Sequence, residues 1–150
     1  MPEAKFVYVI YISSTADKVW NALFDTELTK LYWEHDNISD WKPGSRWEHR
    51  RSDASKKVEL AGNVVEFSPP KKLVMTWARV ENYEDERQHS RVTIELETIQ
   101  DMVKLTLVHD KLEPESSMLN GISVGWPRVL SSLKSMLETG KPLDTWAGDE

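Results

Sequence analysis

Four histidines, seven tryptophans and one G-x-S-x-G stretch are the residues of this 150-residue chain whose types and spacing suit chemistry. Gly121-Ile122-Ser123-Val124-Gly125 has the spacing of a serine nucleophile held on a sharp strand-to-helix elbow. That device needs a strand before the serine and a histidine after it. Glu113 to Asn120 contains a proline and no alternation, and no histidine follows His109. The stretch instead predicts small residues that let the start of a helix approach a sheet closely, with Pro127 early in that helix or kinking it. His35, His49, His89 and His109 hold no i, i+4 pair and no H-E-x-x-H, so no zinc site is legible. The absence of cysteine removes thiol catalysis, thiolate metal sites and disulfides, and the six glycines build no phosphate loop. No catalytic residue, metal or cofactor is assigned from these patterns.

Glu34-His35-Asp36 reads as an exposed charged loop, because consecutive side chains in extended backbone diverge. His49 and His109 differ. His49 continues an inward parity after Trp47, and His109 does so after Leu105 and Leu107. Each is expected to present an imidazole to the interior, either as a core histidine bonded to backbone or water, or as a group that orients a ligand or moves a proton. Trp33, Trp47, Trp77 and Trp126 come from four different elements, and parity turns the last three toward one gap between sheet and final helix. Indoles there either fill the gap or wall a pocket for an apolar molecule. The strand residues expected to line it are Trp47, His49, Leu60, Met75, Trp77, Leu107 and His109, with Trp33 from the segment after the short helices. From the final helix, Trp126, Val129, Leu130 and Leu133 complete the set.

The elements that must position these groups follow from periodicity. Phe6, Tyr8, Ile10 and Ile12 alternate with Val7, Val9 and Tyr11, so both faces of a first strand are expected to be covered, inside a sheet. Ser14-Thr15 caps a helix from about Ala16 with the stripe Val19, Trp20, Leu23 and Phe24. Asp25 caps a second short helix carrying Leu28, Leu31 and Tyr32. After Pro43-Gly44 the spacing changes to alternation and predicts an antiparallel meander, with Gly62 a bulge or a point of close approach. Glu81 to Gln88 is expected to be a mobile charged hairpin tip. Val92, Ile94 and Leu96 face Val103, Leu105 and Leu107 across a turn at Gln100-Asp101. Trp126, Val129, Leu130, Leu133, Met136 and Leu137 then recur at helical spacing and end before Gly140. The architecture is α+β: a twisted antiparallel sheet wrapped around a long C-terminal helix, with two short helices after strand 1. One domain is expected over 1–150, its core at about 5–140 and a tail over 141–150 that frays from Pro142.

Nineteen basic against 25 acidic side chains leave a formal charge of −6, which argues against a nucleic-acid or anionic-membrane partner. The longest apolar run, Phe6 to Ile12, is far short of the ~20 residues of a membrane span. The expected location is the cytoplasm.

Ile12-Ser13-Ser14-Thr15-Ala16-Asp17-Lys18-Val19-Trp20, Asp25-Thr26-Glu27-Leu28 with Trp33 beyond it, and Pro43-Gly44 carry a family resemblance. So do Ser68-Pro69-Pro70-Lys71-Lys72-Leu73-Val74-Met75-Thr76-Trp77 and the ending Gly125-Trp126-Pro127 through Leu130, Leu133-Lys134, Leu137-Glu138 and Gly140. Over about residues 5 to 143 the chain resembles the START-like, helix-grip (SRPBCC) superfamily, in the branch similar to the heat-shock-protein-90 ATPase activator. The resemblance implies a cavity under the long helix of the kind that lipid carriers, hormone carriers and polyketide cyclases use. The expectation drawn is a non-enzymatic protein that encloses a small apolar or aromatic ligand. An enzyme of cyclase or hydrolase type, with His49 or His109 as acid/base and an arginine orienting an anionic oxygen, is the first alternative. Chaperone co-regulation through the acidic exterior and the Tyr83 to Arg87 hairpin is the second, and a homodimer is the base-rate expectation.

Overall fold

The computed structural model describes residues 3–143. Its strands are β1 (Ala4–Ile12), β2 (His35–Ser39), β3 (Arg46–Arg51), β4 (Val58–Ser68), β5 (Lys72–Arg79), β6 (Ser90–Ile99) and β7 (Met102–Leu112). Helices α1 (Ala16–Phe24) and α2 (Thr26–Tyr32) follow β1, and α3 (Ser117–Thr139) follows β7. The seven strands form one antiparallel sheet in the order β1-β7-β6-β5-β4-β3-β2, wrapped around α3. This is the helix-grip architecture.

The helix ends obey their caps. Thr15 accepts from the Lys18 amide at 3.2 Å and Asp25 from the Glu27 amide at 2.9 Å, satisfying donors that the first turns leave free. Gly140 ends α3 at φ 86°, where its amide reaches Met136 O. In the β6–β7 hairpin Ile94 faces Leu107 and Leu96 faces Leu105 around the Gln100-Asp101 turn. These inward residues meet Ile122, Trp126, Val129, Leu130, Leu133 and Met136 of α3 in one core.

Gly62 sits where no side chain fits. A Cβ there would lie 2.0 Å from Thr76 O and 2.7 Å from the Trp47 indole nitrogen, because Trp47 crosses over Gly62 to donate Nε1–H to Thr76 O at 2.7 Å. The bulge in this part of the sheet falls between Val64 and Glu66 instead.

Five expectations need correction. β1 is an edge strand, and Val7, Val9 and Tyr11 are exposed, because no layer covers the outer face of the sheet. His35 and Asp36, read as loop, begin β2, which pairs with β3 from His35↔Arg51 to Ser39↔Trp47. Its polar side chains are bonded inward: Asn37 Nδ2 donates to Leu23 O, and Asp36 accepts from Thr29 Oγ1 and Ser52 Oγ. In α2 it is Thr29, not Leu31, that is buried. The Glu81 to Gln88 tip is anchored: Arg46 stacks over the Tyr83 ring at 4.1 Å, Tyr83 O–H donates to Asn63 Oδ1 at 2.7 Å, and His89 binds Tyr83 O. The tail expected from residue 141 is held as far as Leu143, whose amide donates to Ser132 Oγ at 3.0 Å, and residues 144–150 lie outside the described residues.

Candidate functional site

Between the N-terminal half of α3 and strands β2 to β5 lies a cavity of about 240 Å³ that opens to solvent. The sheet side and the end of α2 supply Trp33, His35, His49, Glu59, Leu60 and Trp77. The α3 side supplies Gly121, Ile122, Gly125, Trp126 and Val129. Gly121 and Gly125 do not bring α3 close to the sheet, as the sequence suggests. A Cβ on either would meet nothing within 4 Å, so these two positions stand beside open space.

The walls are rings in mutual contact. Trp33 lies 5.7 Å from Trp126, Trp126 lies 5.3 Å from Trp77, and Trp77 lies 5.3 Å from Trp47, all tilted. Tilted pairs at these separations avoid the disfavoured face-to-face sandwich. The Trp77 indole N–H is occluded without a hydrogen-bond partner among the described residues, packed within a cage of four rings.

Two histidines meet face to face at the back of the cavity. His35 and His49 stack at 4.4 Å with 3° between planes. Their hydrogen bonds differ. His35 Nδ1 faces Trp33 O at 3.0 Å and its Nε2 faces Glu59 Oε1 at 2.6 Å, so both nitrogens meet acceptors. Glu59 Oε2 also lies 3.7 Å from Arg51 Nη1. His49 Nδ1 lies 2.8 Å from Asn37 Oδ1. Burial, with the neighbouring His35, holds His49 well below the ordinary imidazole range, so it is neutral.

His109, the other inward imidazole, does not reach the cavity wall. Trp126 Nε1–H donates to its Nδ1 at 3.0 Å, and its Nε2 sits 2.7 Å from Ser90 Oγ, which donates onward to Trp77 O at 2.9 Å. An indole only donates, so His109 carries its proton on Nε2 and both nitrogens are used. Burial pushes its pKa down to about 4.

Of the residues expected from sequence, Trp33, His49, Leu60, Trp77, Trp126 and Val129 line the cavity. Trp47, Met75, Leu107, His109, Leu130 and Leu133 are buried in the core behind it. Parity gives the face a side chain occupies but not its depth along the element: Trp47, Met75, Leu107 and His109 lie in the closed part of the core, and Leu130 and Leu133 lie on α3 beyond the cavity-lining residues Gly121 to Val129. His35 was missed because its segment is polar and charged, which reads as surface, and Glu59 because alternation in the apolar β4 sets it on the face opposite Val58 and Leu60. Ser123, the centre of the elbow-like stretch, donates to Leu119 O at 2.7 Å within α3. Among the described residues no group of three or more His, Cys, Asp or Glu could hold a metal ion, and no helix is long and apolar enough to cross a membrane.

A family model described as activator of Hsp90 ATPase homolog 1-like protein matches residues 13–138. The chain belongs to this family. Solved structures of similar shape include the Aha1 dimer from Colwellia psychrerythraea, at TM-score 0.75 and 21% identity, covering 92% of this chain and 98% of that one. Protein MLL2253 from Mesorhizobium loti matches at TM-score 0.72 and 24% identity, over 90% of this chain and 97% of its own. CalU16 from Micromonospora echinospora matches at 0.71 and 19%, over 92% and 78%. At these identities the likeness is one of fold. No curated protein matches the chain. Family and fold together make this activator-like chain a cavity-bearing helix-grip protein.

Proposed function

We propose that the chain binds a small flat, apolar or aromatic molecule between α3 and the sheet. The observation that carries this reading is an open space of about 240 Å³ walled by Trp33, Trp77 and Trp126 and floored by His49. An engineered apolar cavity of about 150 Å³ takes benzene, so this space suits a bicyclic ring system. Burying ~200 Å² of ligand surface contributes roughly 5 kcal/mol before ordering costs, which leaves micromolar affinity dependent on a polar contact. The test follows the indole Nε1–H signals of Trp33, Trp77 and Trp126 by NMR while lipids, flat aromatics and hormone-like compounds are added. Saturable shifts confined to these three support the reading. No response from any class defeats it.

The family match favours a second reading, co-regulation of heat-shock protein 90, with a second copy of the chain as partner, since one solved relative is described as a dimer. Faster ATP hydrolysis by that chaperone on addition of this chain supports it, and an unchanged rate at saturating chain removes it.

A further inference from the structure

The hydrogen bonds around His49 define what the cavity asks of a ligand. Asn37 is buried, and its amide Nδ2 donates to the backbone carbonyl of Leu23 at 3.0 Å. A carbonyl only accepts, so the amide cannot be turned round, and Oδ1 is the atom that faces His49 Nδ1 at 2.8 Å. An amide oxygen also only accepts. His49 must therefore carry its proton on Nδ1, and in the neutral ring Nε2 is left with a bare lone pair.

That nitrogen makes no hydrogen bond within the described residues, and it is not occluded in the way the Trp77 indole nitrogen is. His49 itself lines the cavity, so the lone pair is reachable from it. The polar groups nearby are already matched: His35 engages Trp33 O and Glu59, and Glu59 also faces Arg51. An anionic ligand would meet both the lone pair and the Glu59 carboxylate. A ligand with only ether or carbonyl oxygens would leave the lone pair dry and unpaired, at the cost that attends any buried acceptor without a donor.

Resting on the cavity-binding reading, we propose that the site selects flat, uncharged molecules that carry an O–H or N–H donor, a phenol or enol above all, and that the donor binds His49 Nε2. Asn37 is the positioning residue: it touches no ligand and sets which nitrogen is bare.

The test compares 2-naphthol with 2-methoxynaphthalene, which have the same rings but differ in the donor, by calorimetry on the whole chain. The alcohol binds about tenfold more tightly in the native protein, the worth of one hydrogen bond of typical strength. In His49→Phe the ratio between the two falls toward one. Long-range ¹H–¹⁵N spectra of the native protein assign His49 the Nδ1–H form, a check that needs no variant. Equal affinity for the two compounds, a ratio that survives His49→Phe, or a His49 protonated on Nε2 overturns the proposal while leaving cavity binding intact. Failure of both compounds to bind while another class moves the indole signals of Trp33, Trp77 and Trp126 likewise overturns it, and silence from every class removes the cavity reading as well.

Discussion

His49 and His109 occupy matched positions and end up in opposite states. Both continue an inward parity, both are buried, and both lie against Trp77, at 5.8 and 5.5 Å. His109 is enclosed by β6 and α3, and Ser90 and Trp126 use both of its nitrogens. His49 faces the N-terminal half of α3, where Gly121 and Gly125 put no side chain into the space. Only its Nδ1 is used. A buried imidazole is thus closed into the core or left beside open space according to what stands opposite its second nitrogen, and that is decided by the neighbouring element rather than by the histidine's own strand.

The comparison can be broken or sharpened in four ways. The largest effect belongs to Trp77→Ala, which removes the ring both histidines share and is expected to cost about 3–5 kcal/mol in urea unfolding. A loss below about 2 kcal/mol would show that the two neighbourhoods do not lean on one wall. Next is acid. Both histidines are held neutral in the folded chain, with His109 at about 4 against 6.5 for the free group, so the unfolded chain binds more protons between those values. Stability is therefore full above pH 6.5 and falls as the pH drops toward 4, by on the order of 3 kcal/mol for His109. A flat stability profile from pH 7 to 4.5 would contradict the burial of both rings.

His109→Leu leaves the Trp126 indole N–H without its acceptor and is expected to cost about 2 kcal/mol. It also removes the His109 share of the acid slope, while naphthalene-type ligands keep their affinity within about threefold because His109 lies behind the wall. The smallest stability effect is expected from His49→Phe, about 1 kcal/mol, since only Asn37 Oδ1 loses a partner. If His49→Phe proves costlier to the fold than His109→Leu, the assignment of one ring to structure and the other to the site is reversed.

Local signals were legible where the physics is local. Thr15, Asp25 and Gly140 cap helices through bonds within a few residues, and the β6–β7 register follows from a short turn between two alternating runs. Gly62 was legible as a close approach, although only the structure identifies Trp47 and Thr76 as the atoms that forbid a side chain there. β2 was not legible, because His35, Asp36 and Asn37 satisfy their polarity against α1, α2, β3 and β4, elements whose proximity no pattern within the segment declares. The β1 edge was misread for the complementary reason: an apolar strand looks the same whether a neighbour covers it or not.

Periodicity by itself determined the order of elements other than β2, the inward parity of Trp47, Trp77 and Trp126 and of two histidines, and the end of the last helix, since each depends on residues a few places apart. Only the tertiary structure decided that six of the twelve expected wall residues reach a cavity, that His35 and Glu59 join them, and that one imidazole keeps a free lone pair. Those outcomes depend on distances between β2, β3, β5 and α3, which are set by the packing of the whole sheet around the helix and leave no mark in the spacing of any single segment.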